Sequence, residues 1–404
     1  MALETAFSGD IPNDVPTGLQ SKHGLLEPFG WYRKQRHRAP VQFDPDRGVW
    51  DVFGYDETKE IFHSPSTFKR PNLSPHAGSA VDADDPLQYL GDAMVWSDGT
   101  GHDTTKQNMF SQFTPRTLES IEPTIRRIAR AEIRDRFRSG ELFDFANEYA
   151  VPVTLKVPME LLGVPESDYD RILEWIETFD EVTLSEYSDR ESTNPEAMSE
   201  AVTYFERVMA ERAENPQDDL ISVLVNQTPL DRRFIGANCF DILFAGQGTV
   251  TDFLSNAIYL HDQHGILTDA NREVETVLEE VLRYRSPIQC QARRTTEAVT
   301  IGGSTIPADQ RVICWIGSAN RDPAEYTNPD AFSPGRNPDH LAFGHGSHSC
   351  IGFSLARLEA SVVLGEFFDA LGEIELLEDG VVPATTPQLL TYEQLPVRST
   401  RTDR

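Results

Sequence analysis

The chain has 404 residues, with 65 acidic against 36 basic side chains, and its formal net charge of −29 excludes electrostatic binding to nucleic acid. Nowhere do eighteen apolar residues run together, so no transmembrane helix is expected. The four cysteines, Cys239, Cys290, Cys314 and Cys350, have no paired spacing, which argues against a disulfide framework and for a reducing, cytoplasmic setting.

Only six of the basic residues are lysine, and an acidic, lysine-poor surface stays hydrated where ions are concentrated, so a halophilic host is expected. The first thirty residues carry acids, prolines and glycines without a long apolar core, which predicts no signal peptide or membrane anchor. Helical periodicity covers Ser120 to Phe137 and Ser199 to Arg212. A longer apolar-periodic segment, Phe234 to Leu260, contains Gly246 and Gly248, which weaken a helix backbone but admit the close approach of another group. Val274, Val277, Leu278, Val281 and Leu282 form one stripe of a helix that Ser286-Pro287 ends. Alternation around Gly302-Gly303 in AVTIGGSTIPADQRVICWI predicts a hairpin. The expected class is mostly α with a small β portion, and with no repeat, linker or compositional break a single domain is expected over residues 1–404.

The stretch FGHGSHSCIGFSLARLE, Phe343 to Glu359, brings glycines and histidines up to one cysteine. After Cys350, the residues Ile351, Leu355, Leu358 and Val362 fall at helical spacing, so the sulfur is predicted at or just before a helix amino terminus, where a thiolate is favoured. Gly344, Gly346 and Gly352 would let the backbone approach a flat, bulky object. Three readings follow: a structural cysteine in a glycine-rich turn; zinc held by His345, His348 and Cys350, which lacks a fourth ligand nearby; or iron held by one thiolate with a porphyrin supplying the in-plane donors.

The stretch resembles the cysteine loop of the cytochrome P450 heme-thiolate monooxygenases, F-x-x-G-x-x-x-C-x-G followed by L-A-R. Phe343, Gly346, Cys350, Gly352, Leu355, Ala356 and Arg357 match it. Other stretches resemble the family in the expected order. Glu280 and Arg283 in EEVLR match its E-x-x-R, and ANRDP (Ala319 to Pro323), Phe332 and Arg336 resemble its meander. AGQGT resembles the oxygen-binding groove through Ala245, Gly246 and Thr249, with Gly248 where the family usually has an acid.

The resemblance implies a soluble prokaryotic member, haloarchaeal if the acidic surface is read with it. The implied fold is a single-domain triangular prism with heme b (iron protoporphyrin IX) between the long oxygen-binding helix and the cysteine-loop helix. By the same resemblance Cys350 is the axial thiolate and metal ligand. Phe343, Gly344, Gly352, Ala245 and Gly246 lie against the heme, and His348, Arg293, His102 and Lys106 hold its propionates. Where Lys106 stands the family more often has arginine, so a bidentate clamp becomes a point charge. Glu280, Arg283 and Arg336 form a scaffold beneath the heme. Thr249, Gly248 and Gln247 lie on the oxygen side; proton delivery without the acid falls to Gln247, Thr249 with water, Asp252 or Asp241, or Gly248 opens a kink holding water. The pocket wall comes from residues 70–98, 165–215 and 243–249, a strand at 288–292 and a loop at 385–389, with Leu243, Phe244, Ile288 and Gln289 lining it.

The implied activity is monooxygenation of a small lipophilic substrate by O2 in a monomer. Electrons come from a ferredoxin and its NAD(P)H-dependent reductase, met on the cysteine side by Arg357 and neighbouring arginines. A peroxide-driven hydroxylase and a non-catalytic heme-binding sensor are the alternatives.

Overall fold

The computed structural model describes residues 15–71, 85–137, 141–185, 195–266 and 274–399. Parts of the expected pocket wall, at 72–84 and 186–194, lie outside them, as do residues 1–14 of the amino-terminal stretch. The main elements in chain order are β1 (Val41–Asp44), β2 (Val49–Val52), α1 (Tyr55–His63), β3 (Phe68–Lys69), α2 (Thr100–Phe110), α3 (Pro115–Arg136), α4 (Val151–Leu162), α5 (Tyr169–Ser185), α6 (Pro195–Glu214), α7 (Leu220–Gln227), α8 (Arg232–His264), α9 (Val274–Tyr284), β4 (Gln291–Thr295), β5 (Val299–Ile301), β6 (Ser304–Ile306), β7 (Arg311–Cys314) and α10 (Phe353–Leu371). Among the described residues no helix is long and apolar enough to cross a membrane.

Two units interleave in sequence, one comprising residues 1–69, 122–153 and 249–404, the other residues 70–121 and 154–248. The first holds the five-stranded sheet, in the order β1-β2-β7-β4-β3. Its central pair, β2 and β7, is parallel with Val52 opposite Cys314, and β4 runs antiparallel to β7 with Arg293 opposite Val312. Val41, Val52, Ile61, Phe62, Phe68, Val312 and Leu341 form the core over this sheet. The hairpin forms where expected, β5 to β6, and Gly302 and Gly303 supply the two positive φ values, 53° and 78°, that a tight two-residue turn requires.

The second unit is helical. Trp175 of α5 meets Tyr204 of α6 with ring centroids 5.3 Å apart. Asp219 caps α7 by accepting the Ser222 N–H at 2.7 Å and takes Arg212 Nε at 2.6 Å. The helices expected at 120–137 and 199–212 are α3 and α6, each extended by several residues. The expected strand at 288–292 begins later, at Gln291; Ile288 forms only an isolated bridge to Leu389.

Candidate active site

The cysteine loop is held by its own backbone. The Cys350 N–H donates to the Phe343 carbonyl at 2.9 Å, Ser349 N–H to Gly346 at 3.1 Å, and Gly344 N–H to Leu341 at 2.9 Å. Gly346, at φ 70°, is required by close packing: a Cβ there would lie 2.4 Å from the Phe62 carbonyl oxygen at the end of α1. This contact gives the glycine at 346 a packing reason within the protein. Gly352 caps α10, and the Ala356 N–H donates to its carbonyl at 2.9 Å, so Cys350 stands two residues before the cap.

Cys350 is the exposed cysteine, whereas Cys239, Cys290 and Cys314 are buried. Burial pushes the Cys314 thiol up to about 12 and those of Cys239 and Cys290 higher still. The zinc reading fails: His345 Nε2 is 2.5 Å from His63 Nε2, and among the described residues no group of three or more His, Cys, Asp or Glu side chains is placed to hold a metal ion.

Beneath the loop, α9 supplies adjacent carboxylates. Glu280, fully buried, accepts Arg283 Nε at 2.8 Å and Nη2 at 2.7 Å, the Ser333 N–H at 2.9 Å and Arg336 Nε at 3.3 Å. The remaining Arg283 donors reach the carbonyls of Asn320, Pro329 and Ala331, so all five are used. The structure thus brings Glu280, Arg283 and Arg336 together, as the spacing and meander suggested. Glu279 points elsewhere, to Arg357 Nε at 2.5 Å and Nη2 at 2.8 Å on α10 and to His340 at 3.2 Å. Burial raises its carboxyl, but bonds and charge from Arg357 and His340 outweigh this and hold it at about 2. Arg357, expected to face a redox partner, is 34% exposed and tied to Glu279; its guanidinium also lies 4.6 Å from the Phe343 ring.

The long helix α8, Arg232–His264, includes both Gly246 and Gly248. A Cβ at Gly246 would make ordinary contact with Pro158 at 3.7 Å, and one at Gly248 would meet nothing within 4 Å. Ala245 is exposed, Thr249 half-buried and Gln247 buried. Leu243 is fully buried, and Phe244 stands edge-on to Phe179 at 4.9 Å. Asp241 and Asp252 are also buried on this helix, and burial pushes the Asp241 carboxyl up to about 7 against the opposing charge of Arg70.

The predicted propionate cations divide between the units. His348 ends a short 3-10 turn, and Arg293 lies buried on β4 over the Phe62 ring at 4.8 Å, donating to the Ala292 carbonyl at 2.7 Å. His102 and Lys106 stand one turn apart on α2, with His102 Nδ1 2.9 Å from an Asp103 carboxylate oxygen. Gln289 is corrected as a pocket residue. It is 1% exposed, its Oε1 accepts the Tyr32 hydroxyl at 2.9 Å and its Nε2 donates to the Ser286 carbonyl at 2.5 Å.

Sequence reading missed a buried arginine two residues after Arg283. Arg285 donates to Asn256 of α8 at 3.1 Å, Glu27 at 2.6 Å, the Leu26 carbonyl at 3.0 Å and the Tyr392 hydroxyl at 3.2 Å, while Asn256 donates to the Leu390 carbonyl at 3.0 Å. Its position directly before Ser286-Pro287, where a helix end buries its last polar residue, was the available signal. The donor set fits a heme: an exposed sulfur before a helix amino terminus, with a histidine and a buried arginine in the same unit.

The cytochrome P450 family model matches residues 272–390. The erythromycin C-12 hydroxylase of Saccharopolyspora erythraea is 32% identical over 386 residues, covering 91% of this chain and 92% of that protein. The biotin biosynthesis cytochrome P450 of Bacillus subtilis is 30% identical over 376 residues, covering 90% and 94%. The crystal structure of CYP109E1 from Bacillus megaterium in complex with testosterone superposes with a TM-score of 0.82 at 30% identity, covering 95% of this chain and all of that one. Those residues, in that order and over that length, make this chain a member of the cytochrome P450 family, a heme-dependent monooxygenase that carries heme b on a cysteine thiolate.

Proposed function

We propose that this monooxygenase hydroxylates a small lipophilic substrate with O2, taking its electrons from a ferredoxin and an NAD(P)H-dependent ferredoxin reductase. The observation that carries the reading is the contrast between one exposed cysteine before α10 and three thiols sealed in the core. Relatives named for erythromycin hydroxylation or crystallised with testosterone support a lipophilic substrate.

In this reading Cys350 ligates the iron, and the Phe343 carbonyl, by accepting the Cys350 N–H, fixes where the sulfur points. His348, Arg293, His102 and Lys106 pair with the propionates, since buried carboxylates need charged partners. The heme, when bound, supplies the activation of dioxygen. The Thr249 hydroxyl holds a proton beside the oxygen site, and Gln247 and water carry protons past the position that Gly248 leaves without an acid. Phe244, half-buried on α8, excludes water from the reacting carbon, whereas Leu243, fully buried, is core and not pocket lining.

The missing acid also favours a second reading, turnover driven by peroxide alone. One comparison separates them: single turnover of the reduced holoenzyme with O2, NADH and a ferredoxin–reductase pair, against turnover with hydrogen peroxide. Product from the first and little from the second is expected; product from peroxide only would sink the proposal. Cys350→Ser should abolish the thiolate-type absorbance of the reduced carbonyl complex.

A further inference from the structure

Asp241 has no role in the scheme above. Its side chain is 7% exposed, and among the described residues no hydrogen bond or ion pair reaches its carboxylate. Positions 241, 245 and 248 recur at i, i+4 and i+7, so Asp241 shares a face of α8 with Ala245 and Gly248, the small residues of the oxygen groove. Seven residues at the helical rise set it about 10 Å along the axis from Gly248.

Aromatic residues stand beside Asp241 along α8. Phe240 and Phe244 flank it on α8, and both stand edge-on to Phe179 of α5, at 5.1 and 4.9 Å. Phe179 in turn meets Trp96 at 6.4 Å, and the buried Trp96 Nε1 has no hydrogen-bond partner. An uncompensated buried carboxylate costs several kcal/mol in order of magnitude. A carboxylate among aromatic faces is the chemistry that recognises a cation. Arg70 is the counter-argument, since its charge reaches Asp241; but its guanidinium lies over Trp96 at 5.2 Å and its Nε donates to the Val95 carbonyl at 2.8 Å, so it is held by other groups.

We propose that Asp241 is a specificity residue that binds a protonated amine of the substrate. Such a substrate is a lipophilic amine oxidised at a carbon roughly 10 Å from its nitrogen, the spacing along α8 from Asp241 to Gly248. This rests on the monooxygenase reading above and narrows its substrate class.

The test is calorimetric titration of the heme-loaded enzyme with decyltrimethylammonium, which stays charged and cannot ligate iron, and with neutral 1-decanol, both as monomers. The wild type is expected to favour the cation by about tenfold, as one charge-assisted contact allows. Asp241→Asn should remove that preference while leaving decanol affinity within about twofold, and Asp241→Glu should keep most of it. Equal wild-type affinity for the two probes overturns the proposal whether or not the variants fold, as does an unchanged preference in Asp241→Asn. Either result leaves the monooxygenase reading standing if NADH-driven single turnover succeeds, so the two fail separately.

Discussion

Gly346 and Gly352 look alike in the sequence but carry different constraints. At Gly346 an added methyl would meet the Phe62 carbonyl at 2.4 Å in a positive-φ conformation, whereas at Gly352 the nearest atom is the Cys350 sulfur, at 3.9 Å and with negative φ. Gly346→Ala should therefore destabilise the protein by about 1–3 kcal/mol or more and lower heme retention, while Gly352→Ala should leave the urea midpoint nearly unchanged. Gly248 offers a third case. Because nothing lies within 4 Å of a Cβ there, Gly248→Asp should fold normally and raise the fraction of NADH electrons recovered in product. Unchanged coupling would remove the proton-delivery deficit from the argument. Thr249→Ala should increase peroxide release, measured under the same turnover conditions.

Helices α9 and α10 are joined by charge beneath the cysteine loop. Glu279 titrates at about 2 instead of its ordinary 4.5, so the tie to Arg357 and His340 contributes fully above pH 4.5 and is lost as pH falls through 2. Glu279→Gln should flatten the fall of the thermal midpoint across that window; an unchanged acid limb would dismiss the tie as a stability element. Arg283→Lys replaces five fixed donors with three and strands carbonyls at buried positions, which should cost about 3–5 kcal/mol and reduce heme content. Glu280 with Arg283 was legible because both fall within one turn of a strongly periodic helix. The Glu279–Arg357 tie was not, because it joins side chains 78 residues apart and Arg357 looked equally suited to a surface. Ile288 was misread as strand because apolar composition carries no signal for where a ladder begins.

At the scale of the chain, the helix-rich class and the small β portion followed from periodicity, since 3.6-residue and 2-residue patterns are written in local spacing. The boundaries between the two interleaved units at 121/122, 153/154 and 248/249 fall inside α3, α4 and α8, where composition does not change, so the sequence carries no trace of them. The net charge of −29 also acts at this scale: self-repulsion opposes compaction, so added potassium chloride should raise the unfolding midpoint, and a midpoint independent of salt would remove the halophilic reading. The uneven placement of the cysteines has a practical consequence. With three thiols buried and held far from ionisation, a maleimide should leave a single adduct, on Cys350, and only on chains from which the heme has departed. A mass spectrum of the alkylated protein would then count cofactor occupancy molecule by molecule, with no reference to colour.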